Sequence, residues 1–474
     1  MKKRFLQITS LSVFLAACSF APKYQLPPLV MPLEYKETGP WVETKPGLEE
    51  LTLHQPWWAL FKDPLLNSLE ERLNCENIDL KIALDKYESA RAAAQVTRAA
   101  LFPDIESIDA IARDKSSASV TQTTKNLTKN TFLVTAVMSY EVDLWGRVRN
   151  SVLSSNSLAK ASGYDLAALE ISLHAELAQD YFQLRGFDQN QKVLDTVVKA
   201  YDKALYLTRQ RHKWGMVAEA DVDAAITQFE NAKTAAKENL LKRGQLEHAI
   251  AVLLGEVPAS LTLKSRIAPF HLATVSPNLP ATLLLRRPDV AASNERVRSA
   301  NAQIGVARAA FFPQINLVNL IGAESNKLSN LFTTANMIWA LGTSTALTLV
   351  QPQISQVIFD GFKRQGLLRE AKANYFEAVN TYKKTVLNAF KEVEDSLVAI
   401  HRLDQEKFSQ TKSTIAAKRA LYHANQQYKG GLITYIEVVV YENAALQSQL
   451  ALIDINTRRQ LASVDLIKAL GGGW

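Results

Sequence analysis

The string "TRAALFPDI" at residues 97–105 returns as "ARAAFFPQI" at 307–315, with six of nine positions unchanged. The shared residues are Arg98/Arg308, Ala99/Ala309, Ala100/Ala310, Phe102/Phe312, Pro103/Pro313 and Ile105/Ile315. A second correspondence lies further along: "KALYLTRQRHKWGMVAEADV" (203–222) aligns with "RALYHANQQYKGGLITYIEV" (419–438), and Asp188-Gln189 recurs as Asp404-Gln405, all at an offset of 216 residues. Two anchor regions in register mean that the chain writes one unit twice. Its 474 residues are therefore read as two equivalent parts, or one elongated repeat structure, rather than one compact domain.

The same order of local patterns surrounds each copy. From about Pro64 to Phe102 the sequence is dominated by good helix formers, until Pro103 stops the helix. "DIESIDAIAR" is a weak strand candidate and "DKSSASVTQTTKNLTKN" a polar loop. "FLVTAVMSYEVDL" (132–144) then follows a period of two, with Phe132, Val134, Ala136, Met138, Tyr140, Val142 and Leu144 apolar and Thr131, Thr135, Ser139, Glu141 and Asp143 on the other parity. Such alternation fits a strand between lipid and water, and by itself it fits a half-buried strand of a soluble sandwich equally well.

No proline occurs between Asp104 and Val257, which permits very long helices. The first is predicted from Gly146 to Trp214, with Leu194, Val198, Tyr201 and Leu205 stepping by 4, 3 and 4 as in a packed coiled-coil seam. At about 1.5 Å per residue such a helix reaches about 100 Å. "KWGMVAEADV" breaks it, Gly215 being suited to a C-terminal cap. The pattern then restarts: helix to Phe312, stop at Pro313, weak strand "QINLVNLIGA", polar loop "ESNKLSN", strong strand "IWALGTSTALTLV", long helix, tip "GGLITYIEV", final helix.

The predicted organisation is residues 1–17 as signal peptide, 18–63 as an extended segment and 64–257 as the first repeat, with a hairpin at about 104–144 and a tip at about 213–223. A linker at 258–285 precedes a second repeat at 286–474, with a hairpin at about 314–350 and a tip at about 429–442.

The first residues read as an export signal: "MKKR", then the apolar stretch "FLQITSLSVFLAA". "LAAC", Leu15 to Cys18, resembles a bacterial lipobox, which makes Cys18 the acylated N-terminus, and acyl chains bind membranes by burying methylenes. Ser19, rather than Asp, resembles lipoproteins sorted to the outer membrane. Cys75 is then the one cysteine besides Cys18, so the mature chain forms no internal disulfide with a free partner. The formal charge of +7 falls to +4 once Lys2, Lys3 and Arg4 are set aside, 51 basic against 47 acidic residues. Without a Lys/Arg block, a nucleic-acid partner has no support.

The lengths constrain assembly. Each repeat offers two strands, hence four per chain, whereas bacterial barrels begin at about eight and tolerate no open edge in lipid. The chain must oligomerise. Its helices, about 69 and 67 residues against about 39, 37, 27 and 39, allow two short helices in series to flank each long one. The expected fold is an α+β membrane protein: a long periplasmic α-helical coiled-coil barrel plus a transmembrane antiparallel β-barrel shared between chains. Pro103 and Pro313 mark the helix-to-barrel junctions.

"QPWWALFKDPLLNSLEERL", "YEVDLWGRVRN", "LLLRRPDVAASNERVRSANAQIGVARAAFFPQI", "VIFDGFKRQG", "QSQLALIDIN" and "KALGGGW" resemble outer-membrane efflux lipoproteins, the OprM/NodT branch of the TolC-like exit ducts, from Cys18 to Trp474. The resemblance implies a homotrimer with a twelve-stranded barrel. Its implied partners are outer-membrane lipid, a periplasmic adaptor and an inner-membrane transporter of the RND type, and its implied cargo is drugs, detergents or other small toxic compounds. It also implies that helix tips close the periplasmic entrance. Gate candidates are Asp221, Asp223, Tyr435, Glu437 and Glu442; adaptor-contact candidates are Lys213, Gly215, Lys429, Gly430 and Gly431. The family's frequent "LDAQ" reads "VVYE" here, which puts Val440 where the usual Asp stands, and "DGFKR" puts Phe362 where a second Gly is usual.

No catalytic reading competes. The seven histidines form no H-E-x-x-H pair, and neither a phosphate loop nor a G-x-S-x-G elbow occurs; no enzyme activity, cofactor or metal is expected. A TolC-like duct for protein secretion and a pore-free periplasmic coiled-coil lipoprotein remain as alternatives.

Overall fold

The computed structural model describes residues 20–26, 28, 35–36, 56–116, 127–267, 271–272, 287–341 and 353–472. The signal segment, Cys18 and residues 342–350 of the second strong strand lie outside the described residues. The helices are α1 (Pro64–Glu76), α2 (Ile78–Ala99), α3 (Arg147–Lys213), α4 (Glu219–Leu253), α5 (Pro288–Ala309), α6 (Lys363–Lys429) and α7 (Tyr435–Ala469). The strands are β1 (Asp104–Ser116), β2 (Leu127–Glu141), β3 (Gln314–Ser325), β4 (Met337–Leu341) and β5 (Gln353–Ser355).

The duplication holds at the level of element length. Helices α3 and α6 are each 67 residues, α4 and α7 each 35, and α2 and α5 each 22. The chain nevertheless divides in space across the repeats, one unit taking residues 1–28, 86–163 and 292–383 and the other 29–85, 164–291 and 384–474. Each unit thus draws on both repeats.

The first unit carries the sheet, antiparallel throughout, in the order β1-β2-β3-β4, with β5 also on β3. The β1–β2 ladder extends from Asp104↔Ser139 to Ser116↔Leu127. It therefore takes in residues 114–116 and 127–130, which the polarity of the sequence assigns to a loop. Backbone pairing needs no apolar side chain, so the ladder outruns the hydrophobic pattern. The register places Ile105, Ile111, Phe132, Val134, Met138, Leu317, Ile321 and Trp339 on one face, and Ile105, Ile111, Val134, Leu317, Ile321 and Trp339 are exposed in the single chain. Asp109, opposite Val134, is a polar exception on that face. On the other face Thr135 is buried and donates its hydroxyl to Ile108 O at 2.9 Å. Across from it, a Cβ on Gly322 would stand 2.2 Å from Val134 O, so only glycine fits.

The extended N-terminal segment lies antiparallel along α5 in the same unit. Arg308 Nη1 donates to Phe20 O at 3.0 Å, Asn301 Nδ2 to Pro22 O at 2.8 Å, and the Tyr24 hydroxyl to Asn294 Oδ1. Phe20, two residues after Cys18, stacks on Phe312 with ring centroids 4.5 Å apart.

The second unit holds the main core. Trp57, Trp58, Phe61, Leu66, Leu69 and Leu73 pack on Leu173, Leu177, Tyr181, Leu184, Ile250 and Leu254. The helix expected from Pro64 to Phe102 breaks at Asn77. Its amide Oδ1 accepts from Leu80 N at 2.8 Å, opening α2, and its Nδ2 donates to Leu253 O at 2.7 Å. Asn77 is therefore both an N-cap and a cross-link, which outweighs the continuous helical composition. No helix among the described residues is long and apolar enough to cross a membrane.

Candidate gate at the helical tips

Both tips lie in the second unit and are built alike. At the first, Gly215 adopts φ 70°, its N–H bonds His212 O at 2.8 Å and Met216 N–H bonds Arg211 O at 2.9 Å. At the second, Gly431 adopts φ 72°, its N–H bonds Tyr428 O at 3.1 Å and Leu432 N–H bonds Gln427 O at 2.9 Å. These are Schellman ends, which need a left-handed residue and so select glycine at both places. Of the adaptor-contact candidates, Gly215 and Gly431 thus terminate the long helices, while Lys213, Lys429 and Gly430 are exposed.

The helix starts differ. Thr434 begins α7 with a capping box in which its N–H and hydroxyl donate to Glu437 Oε2 at 2.7 and 2.9 Å. Those bonds hold the Glu437 carboxylate below its usual range. The equivalent N-cap of α4 is Ala218, whose side chain caps nothing. There the tip is braced by His212, whose Nδ1 is 3.0 Å from Val217 O and whose Nε2 is 2.8 Å from Glu219 Oε2. Asp221 is half-buried in the first turn of α4, and Asp223 is exposed.

The remaining two gate candidates stand in the interhelical seam. Tyr435 is buried with Leu205, Ala225, Val438 and Val439. Further up, Leu446 packs with Leu194, Val198 and Ala236. Glu442 sits between Val439 and Leu446 on α7, and its Oε2 is buried with no hydrogen-bond partner among the described residues. The hydroxyl of Tyr201, from the facing seam of α3, is likewise buried and unpartnered. Burial pushes the Glu442 carboxyl up to about 7. Burial, with the Glu442 charge adding, drives the Tyr201 and Tyr435 hydroxyls well above their usual range. Tyr435 in turn meets Tyr428 with ring centroids 5.7 Å apart, and the Arg211 guanidinium lies 4.7 Å from the Tyr428 ring centre.

The five gate candidates are therefore not one cluster. Tyr435 and Glu442 share the seam with Tyr201, whereas Glu437 is a capping residue, and Asp221 and Asp223 stand on α4. Sequence reasoning missed Arg211, His212, Glu219 and Tyr428. The available signal was the single acid in the apolar run "VVVYENAAL" and the single hydroxyl in the seam Leu194, Val198, Tyr201, Leu205. Val440, at the family's usual acidic position, is exposed.

The chain that carries these helical tips and an antiparallel sheet with an exposed apolar face matches one family model in two segments, residues 69–256 and 279–472, described as outer membrane efflux protein. The chain belongs to the outer membrane efflux protein family. The two matched segments coincide closely with the two halves of the duplication.

The outer-membrane efflux relatives extend over its whole length. It is 29% identical over 477 residues to the probable efflux pump outer membrane protein TtgC of Pseudomonas putida, covering 100% of this chain and 96% of that protein. It is 28% identical to the probable outer membrane lipoprotein SilC of Salmonella typhimurium, covering 100% of this chain and 99% of that one. Among solved structures it superposes on the Campylobacter jejuni CmeC outer membrane channel with a TM-score of 0.87 at 25% identity, covering 96% of this chain and 95% of that chain. The fold is that of a TolC-like outer-membrane channel.

Proposed function

We propose that this outer-membrane efflux protein works as a homotrimer, the passive exit duct of a tripartite pump that carries drugs, detergents or other small toxic compounds out of the cell. The observation that carries the reading is the coexistence, in one chain, of a sheet with an apolar exposed face, whose outer lanes have no further strand partner among the described residues, with two long helical hairpins ending in braced tips. An open sheet edge is not tolerated in lipid, and three copies of four lanes give a closed twelve-stranded barrel of an ordinary size. Acylation at Cys18 anchors the chain in outer-membrane lipid, and the stacking of Phe20 on Phe312 supports an anchor close to the Pro313 helix-to-barrel junction, the repeat counterpart of Pro103.

At the periplasmic end, Lys213, Gly215, Lys429, Gly430 and Gly431 offer the contact surface for a periplasmic adaptor, which in turn joins an RND-type inner-membrane transporter. Adaptor contacts that favour a splayed arrangement of the tips open the entrance by shifting a pre-existing equilibrium. Asp221, Asp223, Tyr435, Glu437 and Glu442 are the residues proposed to hold it shut.

Crosslinking in cells, capture of the inner-membrane partners and susceptibility testing of a deletion strain check this directly. A deletion strain that becomes hypersensitive to several unrelated toxic compounds, with an adaptor in the crosslinked fraction, is the expected result. Unchanged susceptibility together with a secreted-protein defect would replace efflux by protein export. For the gate, single-channel recordings of the five alanine variants are expected to show raised closed-state leakage in at least one; unchanged leakage in all five removes the gate assignment.

A further inference from the structure

The duplication gives the two tips matching positions but different chemistry where each long helix turns back. At the offset of 216 residues His212 corresponds to Tyr428, Val217 to Ile433, Ala218 to Thr434 and Glu219 to Tyr435. At the second tip the pair is aromatic, Tyr428 against Tyr435 with ring centroids 5.7 Å apart, and Thr434 opens α7 with its capping box. At the first tip the same two positions hold an imidazole and a carboxylate, and the N-cap, Ala218, has no side-chain acceptor to offer.

The His212 ring joins the two helices across that turn. Its Nδ1 lies 3.0 Å from Val217 O and its Nε2 2.8 Å from Glu219 Oε2. A carbonyl oxygen and a carboxylate both accept and neither donates, so both contacts are hydrogen bonds only when each ring nitrogen carries a proton. The neutral ring keeps one N–H, and its bare nitrogen then turns a lone pair to the other oxygen. The helix ends favour the charged pair as well. His212 stands in the last turn of α3, where unpaired carbonyls gather negative potential, and Glu219 in the first turn of α4, where unpaired N–H groups gather positive potential.

The charged and titratable groups around the turn come from all four helix ends. On α3 they are Arg209, Arg211 and Lys213; on α4, Glu219, Asp221 and Asp223; on α6, Tyr428 and Lys429; and on α7, Tyr435 and Glu437. The three cations of α3 oppose a charged imidazole, but Arg209 and Lys213 are exposed, where water and salt screen them, and Arg211 holds its guanidinium 4.7 Å from the Tyr428 ring centre. The two acceptors, by contrast, touch the ring directly.

We propose that His212 is a proton-dependent clasp on the first tip: as an imidazolium it ties Val217 and Glu219 to the end of α3, and on losing its proton it lets one of the two go. The sign follows. The clasp is complete below the imidazole range and is lost as pH rises through it. The second tip has no imidazole in its turn; His423, on α6, meets the Tyr422 ring with centroids 5.7 Å apart. One tip of the duplicated pair therefore orders in acid and frays in alkali while the other holds. In an exit duct shut at its tips, this makes the order of one half of the entrance follow the surrounding acidity, a consequence that rests on the duct reading.

Hydrogen exchange of the full-length acylated protein between about pH 5.5 and 8, with each rate divided by the intrinsic rate at that pH, tests the clasp. Protection at residues 219–223 is expected to fall about two- to fivefold across that range, the scale of an exposed ion pair, while residues 435–439 stay level. His212→Gln is expected to leave 219–223 at the lower protection throughout, with no pH dependence. Adding Ala218→Thr to it is expected to restore protection, still without pH dependence, which separates loss of a brace from loss of the fold. Level protection at 219–223 in the unsubstituted protein, or a pH dependence that survives His212→Gln, overturns the clasp. Channel recordings on the same preparation keep the two readings apart: conductance with level protection overturns the clasp and leaves the duct, whereas pH-dependent protection without conductance supports the clasp and removes the duct.

Discussion

Arg243 Nε donates to Asp188 Oδ1 at 2.7 Å, and 216 residues further on Arg459 pairs with Asp404 through Nη2. The duplication thus preserves an ion pair across each helical hairpin, between α3 and α4 and between α6 and α7. Its surroundings differ. Asp188 is 1% exposed in its side chain, because the segment after α4 lies over it: Arg266 N donates to Asp188 Oδ2 at 3.1 Å, and Arg185 Nη1 donates to both Asp188 at 2.8 Å and Lys264 O at 3.0 Å. Asp404 keeps 43% of its side chain exposed.

Arg243→Ala is therefore expected to destabilise the folded chain by about 1.5–3 kcal/mol, since it takes one charged hydrogen-bond donor from a buried carboxylate that keeps Arg185 and the Arg266 N–H. Arg459→Ala is expected to cost about 0–1 kcal/mol, because the carboxylate it leaves behind, Asp404, is 43% exposed and stays hydrated. Thermal unfolding of the two variants, followed by circular dichroism, checks the difference; equal midpoints contradict it.

The packed seam around Glu442 is expected to depend on pH. Its carboxyl, raised to about 7 by burial, favours the protonated form while packed. The sign follows: its contribution to the packed state is complete below the ordinary carboxylate range and is lost as pH rises through about 7. The facing groups are Tyr201 on α3 and Tyr435 on α7, with Tyr428 on α6 beyond it, and burial keeps Tyr201 and Tyr435 neutral there. Glu442→Gln is expected to flatten the pH dependence of closed-state leakage between pH 5 and 8. A profile identical to that of the unsubstituted protein contradicts this.

The two tips should differ in fraying. Thr434→Ala removes one partner of the capping box and is expected to cost about 1 kcal/mol. Ala218→Thr adds a cap where none stands and is expected to gain up to about 1 kcal/mol. Hydrogen exchange at residues 435–439 and 219–223 reads each effect separately, faster in the first variant and slower in the second.

Gly322→Ala is expected to disrupt the β2–β3 ladder, because the new Cβ would stand 2.2 Å from Val134 O and 2.6 Å from Thr135 Cγ2. The backbone cannot yield by a side-chain rotation, so a loss of several kcal/mol is expected, on the order of the larger single-site effects. Loss of heat-modifiable gel mobility reads it; unchanged mobility would mean that the strands separate to admit the methyl.

Much of the architecture was legible because it rests on short-range rules. The proline-free run, the period of two in "FLVTAVMSYEVDL" and the glycines at 215 and 431 predict long helices, a membrane-type strand and two tips, and the chain carries all three. The far end of the β1–β2 ladder was not legible, because ladder hydrogen bonds are indifferent to the polarity of Lys115 or Thr128. The break at Asn77 was missed for a related reason: its side chain reaches Leu253, 176 residues away, and composition carries no trace of that partner. Glu437 read as a gate candidate from its place near a tip; its bonds to Thr434 give it a capping role as well.

By itself the sequence determined the duplication, the element types and the places where helix gives way to strand, since propensity, periodicity and proline act within a few residues of one another. Only the tertiary structure decided which residues meet. That Glu442 Oε2 lies buried near Tyr201 with no hydrogen-bond partner among the described residues, and that Asp188 is sealed and Asp404 open, depend on how distant segments exclude water from one another. Desolvation is set by the packing of the whole chain, and no local window of residues encodes it.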